Sequence, residues 1–144
     1  AQDQQQRLCE EYTQALDHIK IGEHDRILRR FLNVILATVR TNFYQQQPYL
    51  SFKFACNLLA YLPKPIPLYE IFVYSPNVEA CHLRGGLVAR GGIRWSDRID
   101  DFRAEILSLM KTQTVKNAVI VPMGSKGGFV CKRYESLKNA GASS

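Results

Sequence analysis

Three short stretches with strand character constrain the fold of this chain more than any other feature. YLSFKFAC (49–56), YEIFVYS (69–75) and HLRGGLVAR (82–90) follow one another within about forty residues. Alternation of apolar and polar side chains, clearest in the first, puts every second residue on one face, the pattern of a half-buried strand. Between the first two lies LPKPIPL (62–68), a connector, because proline cannot donate to a sheet ladder. The glycine pair in the third stretch predicts a bulge or a turn.

Helical patterns flank these strands. Residues 2 to about 20 lack Pro and Gly and are rich in helix formers. After Gly22, a second helix is expected over 24–46. Arg26, Arg29, Arg30, Asn33, Ala37 and Arg40 would share one polar face. Ile27, Leu28, Phe31, Leu32, Val34, Ile35 and Val39 form the broad apolar remainder, expected to be buried. The arginine stripe could bind phosphate, although a solvated face is the simpler reading. A third helix is expected over 97–116, with Asp97, Asp100 and Asp101 at its start, where the helix dipole favours carboxylates. AVIVP (118–122) and FVCKR (129–133) complete the pattern as short strands. The expected architecture is α/β: N-terminal helices, then a mixed sheet with packing helices. Its divisions are a helical segment at 1–22, a main domain at 23–134 and a polar tail at 135–144.

The 144 residues are enough for one domain with a real core, and 46% hydrophobic with 22% charged reads as globular. No apolar run reaches the length of a membrane span, and no signal peptide is recognisable. A first residue that is Ala and a small polar tail suggest a piece of a longer protein. The net charge of +6 permits nucleic acid, anionic lipid or small anionic substrates without choosing among them. Cys9, Cys56, Cys81 and Cys131 form no CxxC pair, and with only His18, His24 and His82 beside them they give no zinc-ligand spacing. Scattered cysteines of this kind are expected to be free thiols in a reducing compartment, the cytoplasm.

Two glycine pairs beside cations carry the functional reading. RGGIRW (90–95) holds Arg90, Gly91 and Gly92, and VPMGSKGGF (121–129) sets Lys126 among glycines. Each alone fits a surface turn as well as a site. GSKGG is not a phosphate-binding P-loop, which needs a longer glycine spacing and Ser or Thr after the lysine. At about 100° per residue, Phe102, Ile106, Leu109, Gln113 and Lys116 fall on one line of the third helix, whereas Lys111 points the opposite way. A lysine on that stripe either serves an anion or reaches past it to solvent. If the loops converge, Arg90, Lys116 and Lys126 face one cavity suited to a dicarboxylate. Two cations would hold the carboxylates. The third, crowded by charge, would be free to act as general acid or base.

RGGIRWSDR together with KNAVIVPMGSKGGF, within a stretch running from about residue 24 to 133, closely resembles the large-subunit, NAD-specific glutamate dehydrogenases of bacteria. The resemblance implies oxidation of L-glutamate to 2-oxoglutarate and ammonia with NAD as hydride acceptor. It implies that Lys126 is the catalytic lysine, activating the water that attacks the iminium carbon. Gln113 and Lys116 would hold the substrate α-carboxylate, and Arg90, with Gly91 and Gly92, would meet the distal one. Small hexameric glutamate dehydrogenases have lysine in place of Arg90 and one more glycine before the residue matching Ser125. No GxGxxG follows any strand, so NAD is expected to be bound by a domain absent from this chain. A homo-oligomer without nucleic-acid or membrane partners is the implied state, and the chain alone is expected not to turn over. The rival readings are a basic nucleic-acid-binding module built on the arginine stripe, or a structural segment that supports assembly of a large subunit.

Overall fold

The structure is a computed structural model and describes residues 1–116 and 123–134, with Lys116 described through its backbone only. Helix α1 spans Gln2–Leu16 and α2 spans Gly22–Ala37. Six strands follow: β1 Thr38–Thr41, β2 Leu50–Ala55, β3 Tyr69–Tyr74, β4 Val78–Arg84, β5 Ile93–Trp95 and β6 Ser125–Cys131. Helix α3, Phe102–Lys116, lies between β5 and β6 in the chain. The sheet order is β1-β2-β3-β4-β6-β5, antiparallel except for the β5–β6 pair. The sheet is therefore mixed, as the alternating segments and the helix near the C-terminal end implied.

Alternation along paired strands gives each face its residues. Cys81, Leu83 and Val130 point to the side that α3 covers. There they meet Phe102, Ile106, Leu107 and Met110 to form the core, with Phe72 at its edge. Leu83, Ile106 and Val130 are fully buried, each contributing roughly 1.5–3 kcal/mol on removal from water. The expected helical stripe holds for Phe102 and Ile106, which are buried; Leu109 and Gln113 are half-buried, and Lys111 faces solvent.

A buried ion pair ties α3 to the sheet. Arg103 donates two hydrogen bonds to Glu70 of β3, at 2.7 and 2.6 Å, and the Glu70 side chain is only 8% exposed. The Cys81 thiol also donates to Glu70, at 3.4 Å. Glu70, through its hydrogen bond and its charge, raises the affinity of Arg103 for its proton. Burial first, and the Glu70 charge second, push the Cys56 thiol up to about 11, and the same causes raise Cys81. Both thiols are protonated near neutrality. All four cysteines are free, with Cys56 and Cys81 buried.

Several sequence expectations are corrected. The first helix ends at Leu16 rather than near residue 20, and the second ends at Ala37 rather than 46. The segment Thr38-Val39-Arg40-Thr41, three of its four residues β-branched, leaves the helix to pair with β2, where branched side chains fit better. The apolar side of α2 is not buried: Ile27, Phe31, Val34 and Ile35 are exposed, and Leu28 and Leu32 are half-buried; Val39, expected on the same side, is exposed on β1. The helix docks instead through part of its polar face. Asn33 donates to Leu58 O at 2.7 Å and accepts from Ala60 N at 2.8 Å, and Ala37 is fully buried. The arginine stripe is partly neutralised, with Arg29 held by Asp25 and Asp17 and Arg30 lying over the Tyr61 ring.

The third helix begins at Phe102, so Asp97, Asp100 and Asp101 precede it. Asp101 supplies its carbonyl to Ala104 and Glu105, while its carboxylate pairs with Arg98. The third strand covers Val78–Arg84, with the Gly85-Gly86 pair just past its end. The last strand begins at Ser125 rather than 129, which places the GSKGG lysine in a ladder and not in a loop. The strand expected at 118–122 lies outside the described residues.

Candidate substrate-binding site

Gly124, Lys126 and Gly128 all point toward α3, because Lys126 stands opposite Leu83 and Gly128 opposite Cys81 in the β4–β6 ladder. The glycines let the helix come close. A Cβ on Gly128 would stand 2.8 Å from Ile106 Cδ1, and one on Gly124 would stand 3.0 Å from both Gln113 Oε1 and Thr114 Oγ1. Lys126, half-buried, is thus the one long side chain in a seam where the backbone is otherwise bare. Among the described residues no glycine has positive φ. The glycines flanking Lys126 serve close approach and not a left-handed turn.

Gln113 joins the two glycine segments. Its Nε2 donates to Arg90 O at 2.7 Å, and its Oε1 accepts from Ser125 N at 3.1 Å. Arg90 also forms a parallel bridge with Gly124, and Gly127 N donates to Gly92 O at 3.0 Å. Gly91 has no room for a side chain, since a Cβ there would lie 1.4 Å from Ser125 O. Replacing Gly91 by Ala is therefore expected to displace the start of β6 and destabilise the fold by about 1–3 kcal/mol or more. A Cβ on Gly92 meets nothing within 4 Å, so Gly92→Ala is expected to leave the melting temperature nearly unchanged. Thermal denaturation of the two variants checks the contrast.

The turn from β5 into α3 is fixed by polar contacts. Ser96 is buried, donates through Oγ to Glu105 at 2.7 Å and accepts from Arg98 N. Glu105 also pairs with Arg94, at 3.3 Å. This connection is the chain's strand–helix–parallel strand crossover, the place where a dinucleotide pyrophosphate would sit on a helix N-terminus. Here it contains no glycine and carries Asp97, Asp100 and Asp101 just before the helix. Carboxylates repel phosphate, so this connection does not fit a dinucleotide pyrophosphate.

The structure thus brings together Arg90, Gly91, Gly92, Gln113 and the Lys126 strand, although the Arg90 side chain is exposed. The side chain of Lys116, one turn beyond Gln113, lies outside the described residues. A cavity of about 640 Å³ beside this junction is lined by Lys64, Ile66, Met110, Thr114 and Met123 among others, and does not include Arg90, Gln113 or Lys126. Two residues of the site were not singled out in the sequence. His82 Nε2 lies 2.7 Å from Ser125 Oγ, on the sheet face away from α3. Burial first and the Arg84 charge second lower the proton affinity of His82, which favours the neutral ring. Ser125 lies within the GSKGG motif and His82 in no motif, and neither position marks the other as its partner. Only strand register reveals the pair.

A mixed six-stranded sheet with α3 packed on one face and a lysine between glycines in β6 defines an α/β fold. A family profile described as bacterial NAD-glutamate dehydrogenase, catalytic domain, matches residues 11–143. The chain belongs to that family. It is 58% identical over 138 residues to the NAD-specific glutamate dehydrogenase of Pseudomonas aeruginosa, which covers 92% of this chain. It is 58% identical over 124 residues to the protein of that name from Halomonas elongata, and 59% over 125 residues to that from Mycobacterium tuberculosis, each covering 82% of this chain. The chain spans 8% of the length of these curated relatives.

Proposed function

We propose that this chain is the substrate-binding part of an NAD-dependent glutamate dehydrogenase that oxidises L-glutamate to 2-oxoglutarate and ammonia. The observation that carries this reading is the Gln113 clamp, which holds the Arg90 and Lys126 segments side by side in a chain of this family. Lys126 acts as the general base, taking a proton from the water that attacks the iminium carbon. Lys116 holds the α-carboxylate, and Arg90, followed by Gly91 and Gly92, meets the distal carboxylate as a two-pronged donor. Gln113 uses one N–H and one lone pair on the backbone; its second N–H remains for the α-carboxylate. NAD is held by a part of the enzyme other than the residues described here. The complete enzyme is read as a homo-oligomer in the reducing interior of the cell.

The test is a chimera in which this chain replaces the matching 138 residues of the Pseudomonas aeruginosa relative. It is expected to reduce NAD with L-glutamate. In it, Lys116→Ala is expected to raise KM for glutamate about tenfold or more, as loss of a charge-assisted contact of roughly 1.5–3 kcal/mol requires. A folded chimera without turnover overturns the reading, and an unchanged KM overturns the role of Lys116.

A further inference from the structure

Ser125 is hydrogen-bonded at two of its polar atoms and closely packed at a third. Its N–H donates to Gln113 Oε1 at 3.1 Å, its Oγ lies 2.7 Å from His82 Nε2, and its carbonyl oxygen fills the space that a Gly91 side chain would need. Its side chain points away from α3, whereas that of the next residue, Lys126, points toward it. Ser125 itself is only 4% exposed. A strand residue fixed in this way sets the peptide plane from which Lys126 departs. Two of the three restraints come from elements already in the site. The third comes from β4, through His82, and nothing in the sequence pattern assigns it a role.

The state of the His82 ring follows from its surroundings. His82 Nδ1 is buried and has no hydrogen-bond partner among the described residues. A buried N–H without an acceptor is rarer and costlier than a bare lone pair. The tautomer that fits this arrangement carries its proton on Nε2 and donates to Ser125 Oγ. Around the ring, β4 contributes Ala80 and Arg84, β3 contributes Ile71, and β6 contributes Ser125 and Gly127. Arg84 is the one charged group among these neighbours, and its guanidinium is turned to the carbonyls of Gly86 and Leu87.

We propose that His82 is a positioning residue for Lys126, acting through a hydrogen bond from Nε2–H to Ser125 Oγ that fixes the start of β6. The proposal rests on Lys126 being the catalytic lysine. Displacement of a catalytic group by about 1 Å can cost on the order of a hundredfold, and loss of one of three restraints on Ser125 is a smaller disturbance. His82→Ala and Ser125→Ala in the chimera are expected to lower kcat about tenfold, with KM for NAD unchanged. His82→Gln, whose amide can donate to Oγ, is expected to recover a large part of kcat.

Thermal melting of each variant separates positioning from packing. If His82→Ala does not fold, Ser125→Ala, which removes one oxygen, decides the outcome. In the 144-residue chain, ¹⁵N NMR of the His82 ring is expected to show the Nε2–H tautomer and a changed Nε2–H signal in Ser125→Ala. Unchanged kcat in both alanine variants overturns the proposal. So does a His82→Gln variant no better than His82→Ala, or a proton found on Nδ1. Lys126→Ala is measured alongside. If it keeps near-normal kcat, the proposal falls together with the catalytic lysine. If it is inactive while His82→Ala and Ser125→Ala are normal, the positioning role alone fails.

Discussion

Lys126→Ala in the chimera is expected to lower kcat by two to four orders of magnitude, about the contribution of a positioned general base, while the fold stays intact. The expectation of intact folding comes from the local packing. Lys126 is half-buried, its neighbours on that face are Gly124 and Gly128, and α3 already rests against both glycines. Removing the long side chain therefore leaves the contacts that join helix to sheet in place. The core residues Leu83, Ile106 and Val130 keep their partners. Steady-state kinetics with glutamate and NAD, beside a melting curve, provides the check. A variant with near-normal kcat refutes the assignment. One that loses kcat and melting temperature together shows that the lysine holds the seam and does not act as the base.

The largest stability effect is expected from Arg103→Ala. Glu70 is almost wholly shielded from water, and Arg103 satisfies both of its carboxylate oxygens. Removing the guanidinium strands a charge in the interior, which costs on the order of 3–5 kcal/mol. The Arg103 side chain is 29% exposed, so water can partly replace it, and the lower end of that range applies. For a chain of this length, about 3 kcal/mol corresponds to a fall in melting temperature of roughly 10 °C. Adding Glu70→Gln to Arg103→Ala removes the stranded charge and is expected to recover part of the loss. Calorimetry of the single and double variants tests both statements. A single variant that melts within a degree or two of the parent would show that the pair is solvated and contributes little.

The same pair illustrates what a sequence pattern can carry. Glu70 and Arg103 are thirty-three positions apart, and each looks like an ordinary surface charge on its own segment. What makes them partners is that β3 and α3 meet across the sheet, a fact of tertiary packing. The glycines tell a similar story. Their spacing about Lys126 marks a place where backbone must be approached closely, and that is legible. Whether a ligand or a helix makes the approach is not, and here α3 does so.

Periodicity also fails where two periods compete. Residues 38–41 continue the helical pattern of α2, yet they pair with β2. A segment rich in β-branched residues gains more from a ladder than from another turn of helix. The apolar side of α2 is the clearest limit. Ile27, Phe31 and Ile35 are as hydrophobic as any core residue, yet they are exposed. Hydrophobicity specifies that a surface gains by being covered and does not specify by what.

By itself the sequence determined the α/β class, the alternating strands at 50–55 and 69–74, the Phe102–Ile106 stripe and the family, because these depend on local periods and contiguous motifs. Only the tertiary structure decided that the Lys126 segment is a strand, that Gln113 bridges it to Arg90, and that His82 reaches Ser125. Those facts depend on register between segments tens of residues apart. Register is fixed by the summed packing of the whole sheet and not by any one stretch of chain.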